Sequence, residues 1–177
     1  MPGPAFLHGE DVTLHVVEDD DVAFLYETIN DPDVRAGLTF ARPKTEREER
    51  EWVESVTDPD ADDVHFLICA DGAPVGTVGL RGVDSRAGTG ELGYYLAADA
   101  WGHGYATDAA RTLVEYAFTE LRLHRVHARA FADNEGSRRV LEKVGFEHEG
   151  VLRDHWYRRG GHADVHLYGL LEGEWDG

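Results

Sequence analysis

The stretch 91–118, ELGYYLAADAWGHGYATDAARTLVEYAF, changes its periodicity halfway along. Residues 91–97 alternate as a strand does, with Glu91, Gly93 and Tyr95 on one face and Leu92, Tyr94 and Leu96 on the other. From Gly104 onward Ala106, Ala109, Ala110, Leu113, Ala117 and Leu121 recur at helical spacing, and Asp108, Arg111, Thr112, Glu115 and Glu120 fall on the opposite side. Between the two lies a turn in which Gly102, Gly104 and Ala106 leave the backbone nearly bare beside Trp101. A strand that runs through glycines into a helix brings unpaired N–H groups and partial positive charge to one point, so Gly102 to Thr107 is a candidate phosphate cradle. A structural glycine-rich turn fits the same residues. GHGYAT also half-matches the dinucleotide fingerprint, but Thr107 occupies the place of the third glycine, and the preceding strands read as hairpins rather than as a parallel βαβ unit.

Outward from this stretch the pattern is mixed. DVTLHVV (11–17) alternates like a strand, and DDDVAFLYETIN (19–30) opens with acidic residues before Val22, Leu25, Tyr26 and Ile29 share a helical face. TEREEREWVESV (45–56) begins with Thr45 and Glu48 at capping-box spacing and sets Trp52, Val53 and Val56 on one stripe. HFLICA, PVGTVGL and GELGYYLA, parted by DGA and GVDSRAGTG, form an antiparallel meander. Downstream, HRVHARAF reads as a strand and NEGSRRVLEKVGF as a short helix stopped by Gly145 in a left-handed cap. EHEGVLRDHWYRRG and HADVHLYGLL close the chain as strands around a turn at RRGGH. The order β-α-α-β-β-β-α-β-α-β-β specifies an α+β fold: about four helices packed over one largely antiparallel central sheet of about seven strands.

With 177 residues and no repeat, the chain is expected to form one domain, 1–177. Its N-terminus carries neither a basic region nor a long apolar run, so a cytoplasmic protein with no membrane segment is expected. Cys69, inside VHFLICA, has no partner for an internal disulfide and no metal spacing, and reads as a buried bystander. The net charge of −18, from 35 acidic against 17 basic residues, argues against a nucleic-acid face. The acidic residues are spread over the whole length, as on a solvated surface suited to a salty cytoplasm, where long-range steering of cations is screened. His124 and His127 point to opposite faces of their strand. The cluster of His155, His162 and His166 lies around a turn far from the cysteine, so no metal site is expected.

ELGYYLAADAWGHGYATDAARTLVEYAF followed, after a strand, by NEGSRRVLEKVGF resembles the GNAT superfamily of N-acetyltransferases, and within it the ribosomal-protein N-terminal acetyltransferase branch of RimJ/RimL type. The likeness extends over nearly the whole chain, from the opening strand and two-helix excursion to VLRDHWYRRGGHADVHLYGLLEGEW. It implies that Gly102, His103, Gly104, Tyr105, Ala106 and Thr107 wrap the pyrophosphate of acetyl-CoA, with Trp101 where many members carry Gln or Arg. Backbone groups of Leu96, Ala97 and Ala98 would hold the pantetheine arm, and a splay between GYYLA and HRVHARAF would receive the thioester. Asn134 and Ser137 match residues near the pantetheine and the sulfur, although Asn134 also suits an N-cap. A homodimer is a further implication of the resemblance.

Acetyl transfer to an amine needs a neutral, aligned nucleophile, a donor for the developing oxyanion and a proton for the departing thiolate. No nucleophile elbow is present, so direct attack is expected. Glu91 is the expected base, directly or through water, with an N–H near Leu96 or Ala97 as oxyanion donor. Leu141 stands where many relatives have an acidic tyrosine, which leaves Ser137 or water to serve the thiolate. An α-amine costs about 1 kcal/mol to deprotonate at pH 7 against about 4.6 kcal/mol for a lysine, so a protein or peptide N-terminus is the favoured acceptor over a small amine. His155, Tyr157 and Tyr168 are candidates for the acceptor pocket. A non-catalytic acyl-CoA-binding module and a nucleotide-binding domain remain as alternatives.

Overall fold

The computed structural model describes residues 2–177. Eight strands form one sheet: β1 (Ala5–His8), β2 (Thr13–Val16), β3 (Val64–Ala70), β4 (Ala73–Asp84), β5 (Thr89–Leu96), β6 (Arg125–Phe131), β7 (Glu147–Arg158) and β8 (Gly161–Leu171). Five helices accompany them: α1 (Val22–Asn30), α2 (Pro32–Arg35), α3 (Glu46–Val56), α4 (Tyr105–Thr119) and α5 (Glu135–Val144). The strand order is β1-β2-β3-β4-β5-β6-β8-β7, and β5 with β6 is the parallel pair in an otherwise antiparallel sheet. The α+β reading therefore holds with one more strand and one more helix than expected. β1 is four residues long and α2 is one turn, too short for periodicity to register. The signal for α2 was chemical instead: Pro32 opens it, and the Asp31 carboxylate accepts from the N–H groups of Asp33 and Val34.

The helices cover both faces of the sheet. β3 shows why its apolar run is unbroken. Phe66, Ile68 and Ala70 belong to the main core with Leu113, Val114 and Ala117 of α4, whereas Leu67 and Cys69 pack with Val22 and Leu25 of α1 and Val53 of α3. Burial pushes the Cys69 thiol up to about 11, an inert core group as expected.

Local signals place the remaining ends. Thr45 and Glu48 form the expected capping box of α3. Gly145, at φ 108°, closes α5, and its N–H and that of Phe146 reach back to the Leu141 carbonyl. The Asp108 carboxylate, on the first turn of α4, accepts from the N–H groups of Glu10, Asp11 and Val12 and so fastens the β1–β2 turn against the helix.

Candidate active site

β5 and β6 pair only from Thr89–Arg125 to Leu92–Ala128, although β5 continues to Leu96 and β6 to Phe131. Past Leu92 the two strands part, and the gap opens into a cleft of about 1140 Å³ between β5, the α4 N-terminus, α5 and the 33–52 segment. Residue alternation directs the N–H groups of Tyr94 and Leu96 toward this gap. That of Ala97 points the other way and is taken by the Val75 carbonyl, 2.9 Å away. Of the two oxyanion donors expected, Ala97 is thereby removed and Leu96 remains.

On the α4 side of the cleft the backbone supplies the polar groups. Gly102 and Gly104 adopt φ 81° and 88°, which bulkier residues resist, and open space lies before both α-carbons. The intrahelical bonds of α4 begin with the N–H groups of Thr107 and Asp108 on the Gly104 carbonyl. The five N–H groups from Gly102 to Ala106 thus make no hydrogen bond within the described residues. Gly102, Gly104, Tyr105, Ala106 and Thr107 face the cleft with Leu96, whereas Ala97, Ala98 and His103 do not line it. His103 stacks on Tyr105 instead. Trp101 is half exposed, and its indole N–H donates to the Leu96 carbonyl at 3.1 Å, tying the turn to the strand end. Lys143 and Arg139 bring charge from α5. Seven basic side chains against five acidic ones line the cleft, a wall net positive by two in a chain of net −18.

Asn134 caps α5, its Oδ1 accepting from the Ser137 N–H at 3.0 Å. Ser137 has a partner that the sequence did not reveal: the Tyr94 hydroxyl lies 3.0 Å from Ser137 Oγ and donates to its carbonyl at 3.1 Å. Burial holds the Tyr94 phenol protonated, with its pKa pushed up to about 12. Leu141, at the position of the missing tyrosine, is buried beside the cleft and carries no proton to give. Tyr94 shares its strand face with the core residues Leu92 and Leu96, and that face turns toward α5 as well as α4.

The other wall is made of side chains. Glu91 faces the cleft, and its oxygens accept three hydrogen bonds. Arg129 donates through Nε and Nη2, both at 3.0 Å, and Arg81 through Nη2 at 3.3 Å. About four lone-pair sites exist on a carboxylate, so few remain for a substrate proton. The Arg81 guanidinium lies over Gly93, where a β-carbon would touch it. The His65 ring fills the space over Gly79 and meets Trp52 of α3 edge to face, with centroids 5.4 Å apart. Burial depresses His65 to about 4, so it is neutral at pH 7. Thr77, Tyr95 and Glu49 complete this wall. His155 joins it from β7, but Tyr157 is exposed and Tyr168 is buried under α5, bonded to Arg138. Among the described residues no group of three or more His, Cys, Asp or Glu side chains is gathered as metal ligands, and no helix is long and apolar enough to cross a membrane.

A family model described as acetyltransferase (GNAT) domain matches residues 11–147. The chain belongs to the GNAT acetyltransferase family. Among curated GNAT relatives, "Putative ribosomal N-acetyltransferase YdaF" of Bacillus subtilis is 36% identical over 176 residues, covering 95% of each chain. "Uncharacterized N-acetyltransferase p20" of Bacillus licheniformis is 29% identical and covers 97% of this chain and 98% of that one. A GNAT acetyltransferase crystal structure from Bacillus anthracis superposes with TM-score 0.83 at 27% identity, covering 96% of this chain and 99% of that one. Spermidine N-acetyltransferase from Vibrio cholerae, solved with CoA and spermine, shares the fold with TM-score 0.86 at 21% identity, over 93% and 97% of the two chains. The protein is an N-acetyltransferase.

Proposed function

We propose that this GNAT enzyme transfers the acetyl group of acetyl-CoA to a primary amine by direct attack, and that its preferred acceptor is the α-amine of a protein or peptide N-terminus. The observation that carries the reading is the run of five unpaired N–H groups at residues 102–106, set beside the gap between β5 and β6. A pyrophosphate suits such a run, because glycine leaves the amides bare and the helix start adds partial positive charge. Arg139 and Lys143 add full charges to the same wall. The cosubstrate brings an acetyl thioester; the rest is done by residues of the chain.

In this reading the Leu96 N–H, left without a partner strand, stabilises the oxyanion. Ser137 serves the thiolate, with the Tyr94 hydroxyl engaging Ser137 Oγ. Asn134 acts through the α5 cap that positions the Ser137 backbone. Glu91 contributes its charge at the acceptor wall, where Arg129 and Arg81 fill most of its oxygen sites. The preference for an α-amine rests on its lower deprotonation cost and is in keeping with the ribosomal name of the YdaF relative. Incubation with acetyl-CoA and a panel of N-terminal peptides, lysine and polyamines should release free thiol fastest with the peptides. Tight CoA binding without release for any amine would favour a non-catalytic acyl-CoA-binding module.

A further inference from the structure

The α3 stripe that carries Trp52, Val53 and Val56 includes one residue of the wrong polarity, Glu49, three residues before Trp52 and four before Val53. Only 3% of its surface is exposed, yet it lines the cleft. Among the described residues no hydrogen bond or ion pair holds its carboxylate. It is not sealed in either, because no fully enclosed side-chain oxygen is left without a partner. A carboxylate taken from water without a cation or donor is unfavourable for folding, and its remaining access is the acceptor half of the cleft.

We infer that Glu49 is the direct proton acceptor of the reaction: its carboxylate takes the proton from the acceptor's ammonium group inside the cleft, while Glu91 positions Arg81 and Arg129. The inference rests on the acetyltransferase reading above. In the step, an N–H bond of the ammonium breaks and an O–H bond forms on Glu49. The freed nitrogen lone pair then attacks the thioester carbon. As the C–S bond breaks, the nitrogen gives up its second proton, which reaches the departing thiolate by way of Ser137, and the proton held by Glu49 returns to solvent through the cleft. Burial raises Glu49 above the ordinary carboxylate range, which brings a carboxylate closer to the basicity such a transfer requires. Lys44 opposes that rise and Glu48 adds to it, both from the N-terminal side of α3. From the sheet, the phenol of Tyr95 is kept protonated by burial and His65 is kept neutral; Arg81 and Glu91 stand beyond them, paired with each other.

The test compares wild type, Glu49→Gln and Glu91→Gln with a peptide α-amine. Glu49→Gln should lower kcat about 100-fold at pH 7, leave CoA affinity unchanged, and retain a residual rate that rises with pH as the free amine does. Glu91→Gln should lose less and keep the wild-type pH profile. Formate should restore part of the turnover of Glu49→Ala. A second readout needs no turnover: Glu49→Gln should raise the Tm at pH 7, and the gain should vanish below about pH 4.5, where the carboxylate is protonated in both folded and unfolded chains. Wild-type kcat and pH profile in Glu49→Gln, or a lower Tm at pH 7, would overturn the inference while leaving acetyl transfer intact. No turnover by the wild type with any amine would overturn both.

Discussion

On the α4 side of the cleft the polar groups are backbone amides of five consecutive residues, fixed by two glycines and a helix start. On the α3 side they are side chains from four separated segments: Glu49 and Trp52, His65, Thr77 to Arg81, and Glu91 to Tyr95. The first wall tolerates little change because its chemistry is the main chain. The second can be refitted one side chain at a time without altering the fold. A family can thus keep one cosubstrate and vary its acceptor.

That contrast can be broken or sharpened by experiment. The largest effect is expected where the walls meet. Tyr94→Phe removes the hydroxyl that engages Ser137 and should lower kcat about 100-fold with CoA affinity preserved, as read by steady-state kinetics with calorimetry; a wild-type kcat would remove Tyr94 from the chemistry. Next comes Gly104→Val, which forces a β-branched residue into φ 88° before the amides. CoA binding should weaken about tenfold, or roughly 1.4 kcal/mol, and unchanged affinity would dissolve the cradle.

A third effect touches neither turnover nor cosubstrate binding and separates the walls by stability alone. His65 is neutral in the folded protein down to about pH 4, whereas an unfolded histidine binds a proton near 6.5. The stability it contributes is complete above pH 6.5 and is lost as pH falls toward 4, by at most about 1.4 kcal/mol per pH unit. Urea unfolding of wild type and His65→Gln should therefore differ in slope between pH 6.5 and 4; parallel curves would mean that the ring is solvated.

Glu49 and Glu91 show how much of the site was legible. Glu91 opens a recognisable strand, so it was found, but its two arginines come from residues 81 and 129 and no local pattern announces their convergence. Glu49 sits on a stripe already identified as apolar, so the signal was present as a violation of the pattern. Its burial depends on the sheet beneath α3. Tyr94 shares its strand face with Leu92 and Leu96, and only the placement of α5 brings Ser137 to its hydroxyl.

By itself the sequence determined what depends on neighbours in the chain: the β5-to-α4 turn with its glycines, the capping box at Thr45, the Gly145 stop, and the buried thiol of Cys69. These rest on dihedral preference and periodicity, which act over a few residues. The tertiary structure alone decided which strands part beyond Leu92, which amide beside the gap stays unpaired, and which carboxylate is clasped by arginines and which is left bare. Hydrogen bonding and desolvation are settled by whatever the fold brings within a few ångströms, and those partners lie tens of residues away along the chain.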